Sequence, residues 1–361
     1  MQWAEYSESQ RKSISHGLEA RLELAKSWCV PVAQDAVWTV DQIHDFAIGG
    51  KMLRGILASL SYEIFAPGLI EELIGSDVSD NIGEQSIAMR LACGIELIQA
   101  GLLVHDDIMD KDELRRGKPT LHKVFAAHNA SEAAGQGQAI CAGDLFYFLS
   151  IQDFARVGAS IGELVAQELS MVCIAQMEDC KSGEAQDIPA LERVLSLYRY
   201  KTGRYTIVLP LKAGAAAAGR FDAFPFLEEM GENLGILFQI QDDRLGLFGD
   251  EQSLGKPIGS DIREGKKTPY VLFLLEALPA PEKRIFEGIL GKGSVSASEI
   301  EYVRTLIMQH GIDEKVAALA RGYQERATVA LERLSSELQG IDYEKLDLLR
   351  QFVETSSIRT R

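Results

Sequence analysis

Long stretches of helical periodicity constrain this chain more than any other feature. Only ten prolines occur in 361 residues, and apolar side chains recur every three to four positions, the spacing of one face of an α-helix. Alternating strand patterns bounded by turns are scarce. The sequence therefore predicts an all-α fold. The predicted helices span residues 5–30, 85–110, 131–150, 157–181, 191–218, 226–247, 268–278 and 298–311.

The breaks between these helices contain glycine and proline but do not resemble flexible linkers between domains. They fall at residues 66–68, 117–119, 249–267 and 278–297. After the last break, Ser298 and Glu301 have the spacing of a capping box. We therefore predict one domain over residues 1–361, an antiparallel helix bundle.

Charge and composition argue against several kinds of partner and location. The formal charge of −16 disfavours a nucleic-acid partner, because neutralising phosphates requires clustered Lys and Arg. No apolar run reaches the ~18 residues typical of a membrane-spanning helix, and the first residues lack the pattern of a signal peptide. Five cysteines without a CxxC pair predict buried free thiols and a reduced, cytoplasmic location.

An apolar helix runs directly into a cluster of carboxylates in LLVHDDIMDKDELRRG. On a helix, Asp106 and Asp110 share a face, and Asp107 stands beside them. Like charges this close favour a bridging cation, and oxygen ligands without His or Cys suit Mg²⁺ shared with a phosphate. A single cluster of this kind is also consistent with a solvated helix end. A second pair, Asp242 and Asp243, follows another apolar helix and favours the metal site.

Basic residues accompany both acidic clusters in an otherwise acidic chain. Each one alone is consistent with an ordinary surface cation, but as a set they suit the binding of diphosphate beside metal. They are Lys51, Arg54, Arg115, Arg116, Lys201, Lys256 and Lys266.

These motifs together resemble the trans-isoprenyl diphosphate synthases, the head-to-tail prenyltransferases of the polyprenyl synthase family. The resemblance rests on GGKMLRG, DDIMDKDELRRG, YKTGRYT, FQIQDDRLG and GKPIGSDIREGKKT, which occur in the family's order over about residues 49–268. AQMED matches a Q-x-x-D element, with Ala175 where the family usually has glycine. A second departure is Gly246, which stands where the second motif usually ends in aspartate.

The resemblance implies the isoprenoid synthase fold, with a central cavity for the prenyl chain and C-terminal helices in residues 269–361. It implies Mg²⁺-dependent condensation of isopentenyl diphosphate with an allylic diphosphate (dimethylallyl, geranyl or farnesyl), with release of diphosphate. It also implies three Mg²⁺ ions, with Mn²⁺ as a substitute, and a homodimer.

The resemblance also assigns roles to individual residues. The implied metal ligands are Asp106, Asp110 and Asp242. The allylic diphosphate would contact Arg115, Asp179, Lys201, Lys256 and Lys266. Isopentenyl diphosphate would contact Lys51, Arg54, Gln99, Arg116 and Phe238. The allylic cation would face the backbone carbonyls of Lys201 and Thr202, and Gln239.

Product length in such enzymes depends on side chains before the first aspartate. Bulky residues four or five positions upstream of that aspartate limit the product to a short chain. Here those positions are Leu102 and Gly101, with Ile98 one turn deeper. The resemblance therefore implies a product longer than C15, with C20 geranylgeranyl diphosphate first. Medium-chain polyprenyl and farnesyl diphosphate are the alternatives, and a bulky residue at Gly101 is expected to shorten the product.

Two other functions fit parts of the sequence. A terpene cyclase shares a DDxxD motif and a helical bundle, but it has no need for the second diphosphate site suggested by GGKMLRG and Arg116. A non-catalytic subunit of a heteromeric synthase typically loses aspartate motifs, and Gly246 is the one feature that points that way.

Overall fold

The computed structural model describes residues 1–33, 36–67, 82, 85–182, 188–249 and 258–356. Helices make up nearly all the regular structure of these residues, which confirms the all-α prediction. The helices before residue 183 are α1 (Trp3–Ser27), α2 (Cys29–Val32), α3 (Ala36–Ile48), α4 (Leu53–Phe65), α5 (Ile87–Met109), α6 (Leu121–Asn129), α7 (Glu132–Val157) and α8 (Ala159–Ser182). A hairpin joins β1 (Leu114–Arg115) to β2 (Lys118–Pro119) in antiparallel register.

The described residues of the second half of the chain include a segment of π-helix. It lies between α9 (Leu191–Tyr198) and α10 (Leu209–Ala217) and spans Arg199–Val208. A 3₁₀ turn (Phe221–Ala223) precedes the long helix α11 (Phe224–Phe248). The remaining helices are α12 (Ser260–Glu264), α13 (Pro269–Ala277), α14 (Ala280–Ile289), α15 (Ala297–Gln309), α16 (Ile312–Glu337) and α17 (Tyr343–Thr355).

The chain forms two compact units, each assembled from three separate segments. Unit 1 comprises Met1–Gln167, Val208–Leu227 and Arg333–Phe352. Unit 2 comprises Glu168–Ile207, Glu228–Glu332 and Val353–Arg361. Because both units are discontinuous in sequence, this division does not decide between one domain and two, and the single domain stays a prediction.

In unit 1, α5 is the central helix and packs closely against α7. Two glycines permit the close approach. A Cβ atom added at Gly94 would lie 2.8 Å from the ring of Phe154, and one added at Gly101 would lie 2.6 Å from the ring of Tyr147. Ser86 caps the N-terminus of α5 through the N–H of Met89.

Among the described residues, α5 alone is long and apolar enough to cross a membrane by length and composition. However, 78% of its apolar window is buried inside the protein, as in the core helix of a globular fold.

Unit 2 has its own core around α11, α13 and α15. Tyr270, Leu274 and Val303 are each at most 1% exposed, and the Tyr270 hydroxyl donates a hydrogen bond of 2.7 Å to Asp313. This core supports the C-terminal half of α11, which carries the second aspartate pair.

Two local predictions around residues 278–297 were wrong. The capping box at the start of α15 uses Ser296 and Glu299, not Ser298 and Glu301. Both pairs have the same spacing, and the earlier start places Ile300 on the buried face. The predicted break also contains a helix, α14. Pro281 lies in its first turn, where the missing N–H has no helical partner to lose.

The cysteines were predicted to be buried thiols, and this is correct for two of the five. Cys29 and Cys93 are buried, whereas Cys141, Cys173 and Cys180 are exposed. The exposed cysteines lie on α7 and α8, whose outer faces also carry apolar side chains. Apolar character alone therefore did not distinguish buried from exposed positions on these helices.

Candidate active site

The C-terminal end of α5 carries the first aspartate motif. Asp106 and Asp110 lie one helical turn apart, and the N–H of Asp110 bonds to the carbonyl of Asp106 at 2.8 Å. Both side chains are half-buried. Asp107 is different, since only 1% of its side chain is exposed. The motif thus presents two accessible carboxylates and one that is turned into the protein.

Asp107 holds Arg115 in a buried ion pair. The guanidinium Nε of Arg115 donates to Asp107 Oδ1 at 2.5 Å, and Arg115 Nη2 lies 4.0 Å from Asp106 and 3.8 Å from Asp112. Burial raises the pKa of Asp107, and the bond from Arg115 opposes that change. The resemblance assigned Arg115 to a diphosphate but did not identify Asp107 as its protein partner.

The β1–β2 hairpin brings Arg116 to the segment before α4. Arg116 and Gly117 both have positive φ, 53° and 74°, as in the two central residues of a type I′ turn. The guanidinium of Arg116 lies over Gly49 and Gly50, where an added Cβ atom would be 3.2 Å from its nitrogens. Unit 1 therefore brings Arg116 to the GGKMLRG motif, and the two glycines leave the room that it occupies.

The start of α4 is bonded to a buried carboxyl group that was not identified from the sequence. The N–H of Gly55 donates to Glu96 Oε1 at 2.7 Å, and Glu96 is 8% exposed. Burial raises the pKa of Glu96, while the Gly55 N–H and the charges of Arg54 and Arg116 lower it. An acidic residue within an apolar helix, GIELIQAG, was the available signal. Lys51 is exposed, and Arg54 and Gln99 are half-buried.

This buried carboxyl group predicts a pH dependence of stability. Because the folded-state pKa of Glu96 is raised, its stabilising contribution is complete below the unfolded value of about 4.5 and is lost as pH rises through the folded-state pKa. We expect Glu96→Gln, which keeps an acceptor without the charge, to raise Tm at pH 8 by on the order of 2 °C.

Thermal unfolding followed by circular dichroism between pH 4 and pH 8 measures this effect. The gain should shrink toward pH 4, because protonation of the wild-type carboxyl group removes the charge that burial disfavours. Glu163→Gln, at an exposed position of α8, is the control and should show no such trend. A Glu96→Gln protein less stable than the wild type at pH 8 would contradict the expectation.

In unit 2, the π-helix carries Lys201 and Thr202 to two different helices. The ammonium group of Lys201 forms an ion pair with Asp179 on α8. The hydroxyl of Thr202 donates to Gln239 Oε1 on α11 at 2.9 Å. The structure therefore brings together four residues that the resemblance placed in one site: Asp179, Lys201, Thr202 and Gln239.

The second aspartate motif also combines an accessible carboxylate with a buried one. Asp242 is exposed, whereas Asp243 is 3% exposed. The hydroxyl of Tyr198 donates to Asp243 Oδ2 at 2.5 Å, and the amide of Gln239 donates to Oδ1 at 3.3 Å. Burial raises the pKa of Asp243 well above its ordinary value, and the nearby Asp261 adds to the increase. Tyr198 was not identified from the sequence.

A cavity of about 370 Å³ lies within unit 2. Five of the residues predicted from the sequence line it: Asp179, Lys201, Thr202, Gln239 and Lys266. Residues without a predicted role complete the polar wall, namely Glu178, Arg193, Tyr198, Asp243, Asp261, Lys267 and Thr268. The wall thus combines cations, carboxylates and neutral donors.

Of the remaining predicted residues, Phe238 does not line this cavity. Phe238 is 2% exposed and belongs to the interior of unit 2. Lys266 forms an ion pair with Glu264 at 2.8 Å. Lys256 lies outside the described residues.

Gly246, where the second motif lacks its last aspartate, lies beside another carboxylate. A Cβ atom added at Gly246 would have Asp261 Oδ2 at 3.4 Å. Asp261 is the second residue of the short helix α12 and lines the cavity. A carboxylate from a neighbouring segment therefore stands next to the position that lost one.

The predicted metal ligands suit a hard divalent ion that shares its coordination with a substrate. Asp106, Asp110 and Asp242 offer only oxygen, and all three side chains reach solvent. Within the described part of the chain, no group of three His, Cys, Asp or Glu residues forms a metal site by itself. In proteins, Mg²⁺ prefers one or two carboxylates together with phosphate oxygens and water.

Comparisons with known proteins agree with these observations. A sequence profile described as Polyprenyl synthetase matches residues 38–307. The short chain isoprenyl diphosphate synthase of Methanocaldococcus jannaschii is 36% identical over 266 residues, covering 72% of each chain. The geranylgeranyl diphosphate synthase of Sulfolobus acidocaldarius is 31% identical over 302 residues, covering 81% of this chain and 83% of that protein.

The fold is also similar to a solved structure. The geranylgeranyl pyrophosphate synthase of Corynebacterium glutamicum, complexed with isoprenyl diphosphate and magnesium, superposes with a TM-score of 0.82 at 27% identity. The superposition covers 99% of this chain and 100% of that chain.

Proposed function

The chain belongs to the polyprenyl synthetase family, and we propose that it extends allylic diphosphates with isopentenyl diphosphate as far as C20 geranylgeranyl diphosphate. Its relatives are isoprenyl diphosphate synthases, so the chain is a prenyltransferase of the isoprenoid synthase fold. Its reaction depends on Mg²⁺, and its substrates are isopentenyl diphosphate and an allylic diphosphate. The product length and the roles of individual residues are the proposed part.

The cavity of unit 2 is the observation that carries the residue roles. Its wall contains Lys201 and Lys266, two cations suited to an allylic diphosphate, with Asp179 paired to Lys201. A diphosphate leaving group gains negative charge as the C–O bond breaks. Preorganised cations at that position stabilise the transition state more than the ground state.

The allylic cation formed in the reaction must be stabilised by dipoles that are not themselves nucleophiles. The allylic cation would be captured by any nearby nucleophile or water, so neutral oxygens must surround it. The backbone carbonyls of Lys201 and Thr202 and the side chain of Gln239 meet this need. The double bond of isopentenyl diphosphate then attacks C1, and the released diphosphate accepts the proton that is lost.

The diphosphate of isopentenyl diphosphate is proposed to bind in unit 1. Lys51 and Arg54 flank the start of α4, and Arg116 lies over Gly49 and Gly50 beside them. Three cations within one unit suit a second diphosphate, which a terpene cyclase does not need. Gln99 from α5 is proposed to contact the same substrate. The contact that the family resemblance gives to Phe238 stays a prediction.

Asp106, Asp110 and Asp242 are proposed to hold three Mg²⁺ ions, with Mn²⁺ able to replace them. When bound, these ions neutralise the charge that develops on the departing diphosphate. The oxygen-only donors and the exposure of all three side chains support the assignment.

A homodimer in the cytoplasm is proposed as the working form. The outer face of α7 supports the dimer, because Ile140, Phe148 and Ile151 are 46%, 64% and 57% exposed. Apolar side chains repeated along one helix face favour burial against another protein surface. The cytoplasmic location rests on the free thiols expected from the sequence.

Product analysis tests the proposed function directly. The purified chain is incubated with isopentenyl diphosphate and a C5, C10 or C15 allylic starter, with and without Mg²⁺, and the products are identified by mass spectrometry. C20 diphosphate as the main product from all three starters supports the proposal. A product that ends at C15 or extends to medium length would exclude C20, and no turnover by the chain alone would favour a non-catalytic subunit.

The α5–α7 contact changes the residue at which product length is best tested. A bulky side chain at Gly101 would meet Tyr147 and the carbonyl of Gly143 within 3 Å, so its first effect would be on helix packing. Leu102 is half-buried and is the other position expected to limit the tail. Relatives of similar identity carry different product lengths in their names, so sequence identity does not fix this property.

We expect Leu102→Phe to shorten the product from C20 to C15, because the larger ring removes space for the last isoprene unit. One misfitted group in an apolar pocket is worth about 10- to 200-fold in discrimination, so the C20 to C15 ratio should fall at least about tenfold. Leu103→Phe is the matched control, the same substitution at a half-buried position on the adjacent face of α5. An equal shift in both variants would contradict a specific role for Leu102.

A further inference from the structure

The π-helix touches α11 through backbone atoms at a pair of glycines. A Cβ atom added at Gly235 would lie 1.9 Å from the Cα of Gly203 and 2.7 Å from its nitrogen. Real Cβ contacts do not occur at such distances, and both obstructing atoms belong to the main chain. No rotation of a side chain relieves the overlap, so the two segments would have to separate.

The contact is asymmetric between the two glycines. A Cβ atom added at Gly203 would have its nearest neighbours at 3.4 Å, the carbonyl of Glu232 and the Cα of Gly235. This is an ordinary van der Waals distance. Alanine is therefore accommodated at Gly203 and excluded at Gly235, although the two residues face each other.

Side-chain bonds on both sides of the glycine pair tie the π-helix to the same face of α11. Thr202 bonds to Gln239, and Tyr198, the last residue of α9 directly before the π-helix, bonds to Asp243. On the other side, Arg204 donates to Glu232 at 2.7 Å. The glycine pair lies between these bonds along α11. It determines how closely the backbone of the π-helix can approach the backbone of α11.

We propose that Gly235 is a positioning residue for the reaction: its missing side chain sets the distance of the Lys201 and Thr202 carbonyls from α11. The inference rests on the proposed function, in which these carbonyls and Gln239 face the allylic cation. A π-helix is a rare conformation, with bonds from residue i to i+5, and it occurs often at functional sites. Here the contact with Gly235 lets the segment sit directly against the wall of the cavity.

Local helix preference predicts the opposite effect of a substitution. Alanine favours a helix interior more than glycine does, so Gly235→Ala would be neutral or stabilising if packing did not matter. The close contact predicts a displacement instead. Moving from 1.9 Å to the ordinary 3.4 Å requires a shift of about 1.5 Å, and misplacement of a reacting group by about 1 Å costs up to ~100-fold in rate.

The test compares Gly235→Ala with Gly203→Ala in the full chain. Steady-state rates are measured with isopentenyl diphosphate and an allylic diphosphate, and circular dichroism and thermal unfolding report on folding. For Gly235→Ala we expect kcat to fall at least tenfold while KM for isopentenyl diphosphate stays within twofold, because Lys51, Arg54 and Arg116 are untouched. For Gly203→Ala we expect kcat within threefold of the wild type.

Three results would overturn the inference. They are a folded Gly235→Ala protein with wild-type kcat, an equal fall in kcat for both alanine variants, and a fall that affects kcat and KM for isopentenyl diphosphate in parallel. A wild-type chain that consumes no isopentenyl diphosphate would overturn the proposed function, and with it the role of the carbonyls. The activity of the wild type therefore distinguishes failure of the proposed function from failure of the role proposed for Gly235.

If Gly235→Ala does not fold, Gly203→Val tests the same contact from the other side. Its branched side chain presses the π-helix away from α11, beyond the space that alanine uses. We expect a kcat at least tenfold below that of Gly203→Ala with KM for isopentenyl diphosphate unchanged. A kcat equal to that of Gly203→Ala would overturn the inference.

Discussion

Asp242→Ala is expected to lower turnover by at least about a hundredfold, the scale of removing one preorganised electrostatic contact from a transition state. Asp242 is exposed at the end of α11, and its carboxylate is a proposed ligand of Mg²⁺. Its removal leaves the negative charge of the departing diphosphate less well compensated. The neighbouring bonds of Asp243 to Tyr198 and Gln239 do not involve Asp242, so the fold should be retained.

Steady-state rates at several Mg²⁺ concentrations measure this effect. Glu229→Ala is the control, because Glu229 is an exposed carboxylate on the same helix. We expect its rate to remain within threefold of the wild type. Near-normal turnover of Asp242→Ala at saturating Mg²⁺ would remove Asp242 from the catalytic set.

A loss of similar size is expected for Asp106→Asn, which keeps the shape of the side chain and removes its charge. Asp106 is 26% exposed at the end of α5 and is the first residue of the motif. We expect turnover to fall at least about a hundredfold, together with a higher Mg²⁺ concentration for half-maximal rate.

Asp112→Asn is a matched control for this substitution. Asp112 is 22% exposed and lies 3.8 Å from Arg115, as Asp106 lies 4.0 Å from it. Both variants remove one charge beside the same guanidinium, but only Asp106 is a proposed metal ligand. Equal losses in the two variants would show that the charge around Arg115 matters, rather than a ligand position.

Features that depend on helical periodicity were predictable from the sequence. The spacing of four between Asp106 and Asp110 fixes their separation once α5 is known to be helical, and the apolar run before them identifies α5 as a core helix. The main helices follow for the same reason. Their ends are less certain, as the shift of the capping box from Ser298 to Ser296 illustrates, because two Ser-x-x-Glu pairs overlap in sequence.

Features that depend on contacts between distant segments were not predictable in this way. Lys201 and Asp179 are 22 residues apart, and no periodicity relates them, so only the family resemblance brought them together. The π-helix was predicted as part of a continuous helix, because its residue types do not distinguish i+5 from i+4 bonding. The close approach of Gly203 to Gly235 becomes visible only when α11 is packed against that segment.

Buried polar partners form a third group, in which the sequence held a signal without identifying the partner. Glu96 within an apolar helix had to bond to something, since a buried carboxyl without a partner is unfavourable. The structure identifies the partner as the N–H of Gly55. For Arg115 the sequence suggested a substrate diphosphate as the partner. In the structure, the guanidinium group of Arg115 donates a hydrogen bond to Asp107.

The position of Asp261 beside Gly246 makes these two sites energetically coupled. The Cβ atom of an aspartate at position 246 would lie 3.4 Å from Asp261 Oδ2. Two adjacent carboxylates raise each other's pKa and repel each other when both are ionised. Effects of substitutions in direct contact are not additive. The effect of glycine or aspartate at residue 246 on activity therefore depends on which residue stands at 261. The effect of a substitution at 261 depends in the same way on the residue at 246.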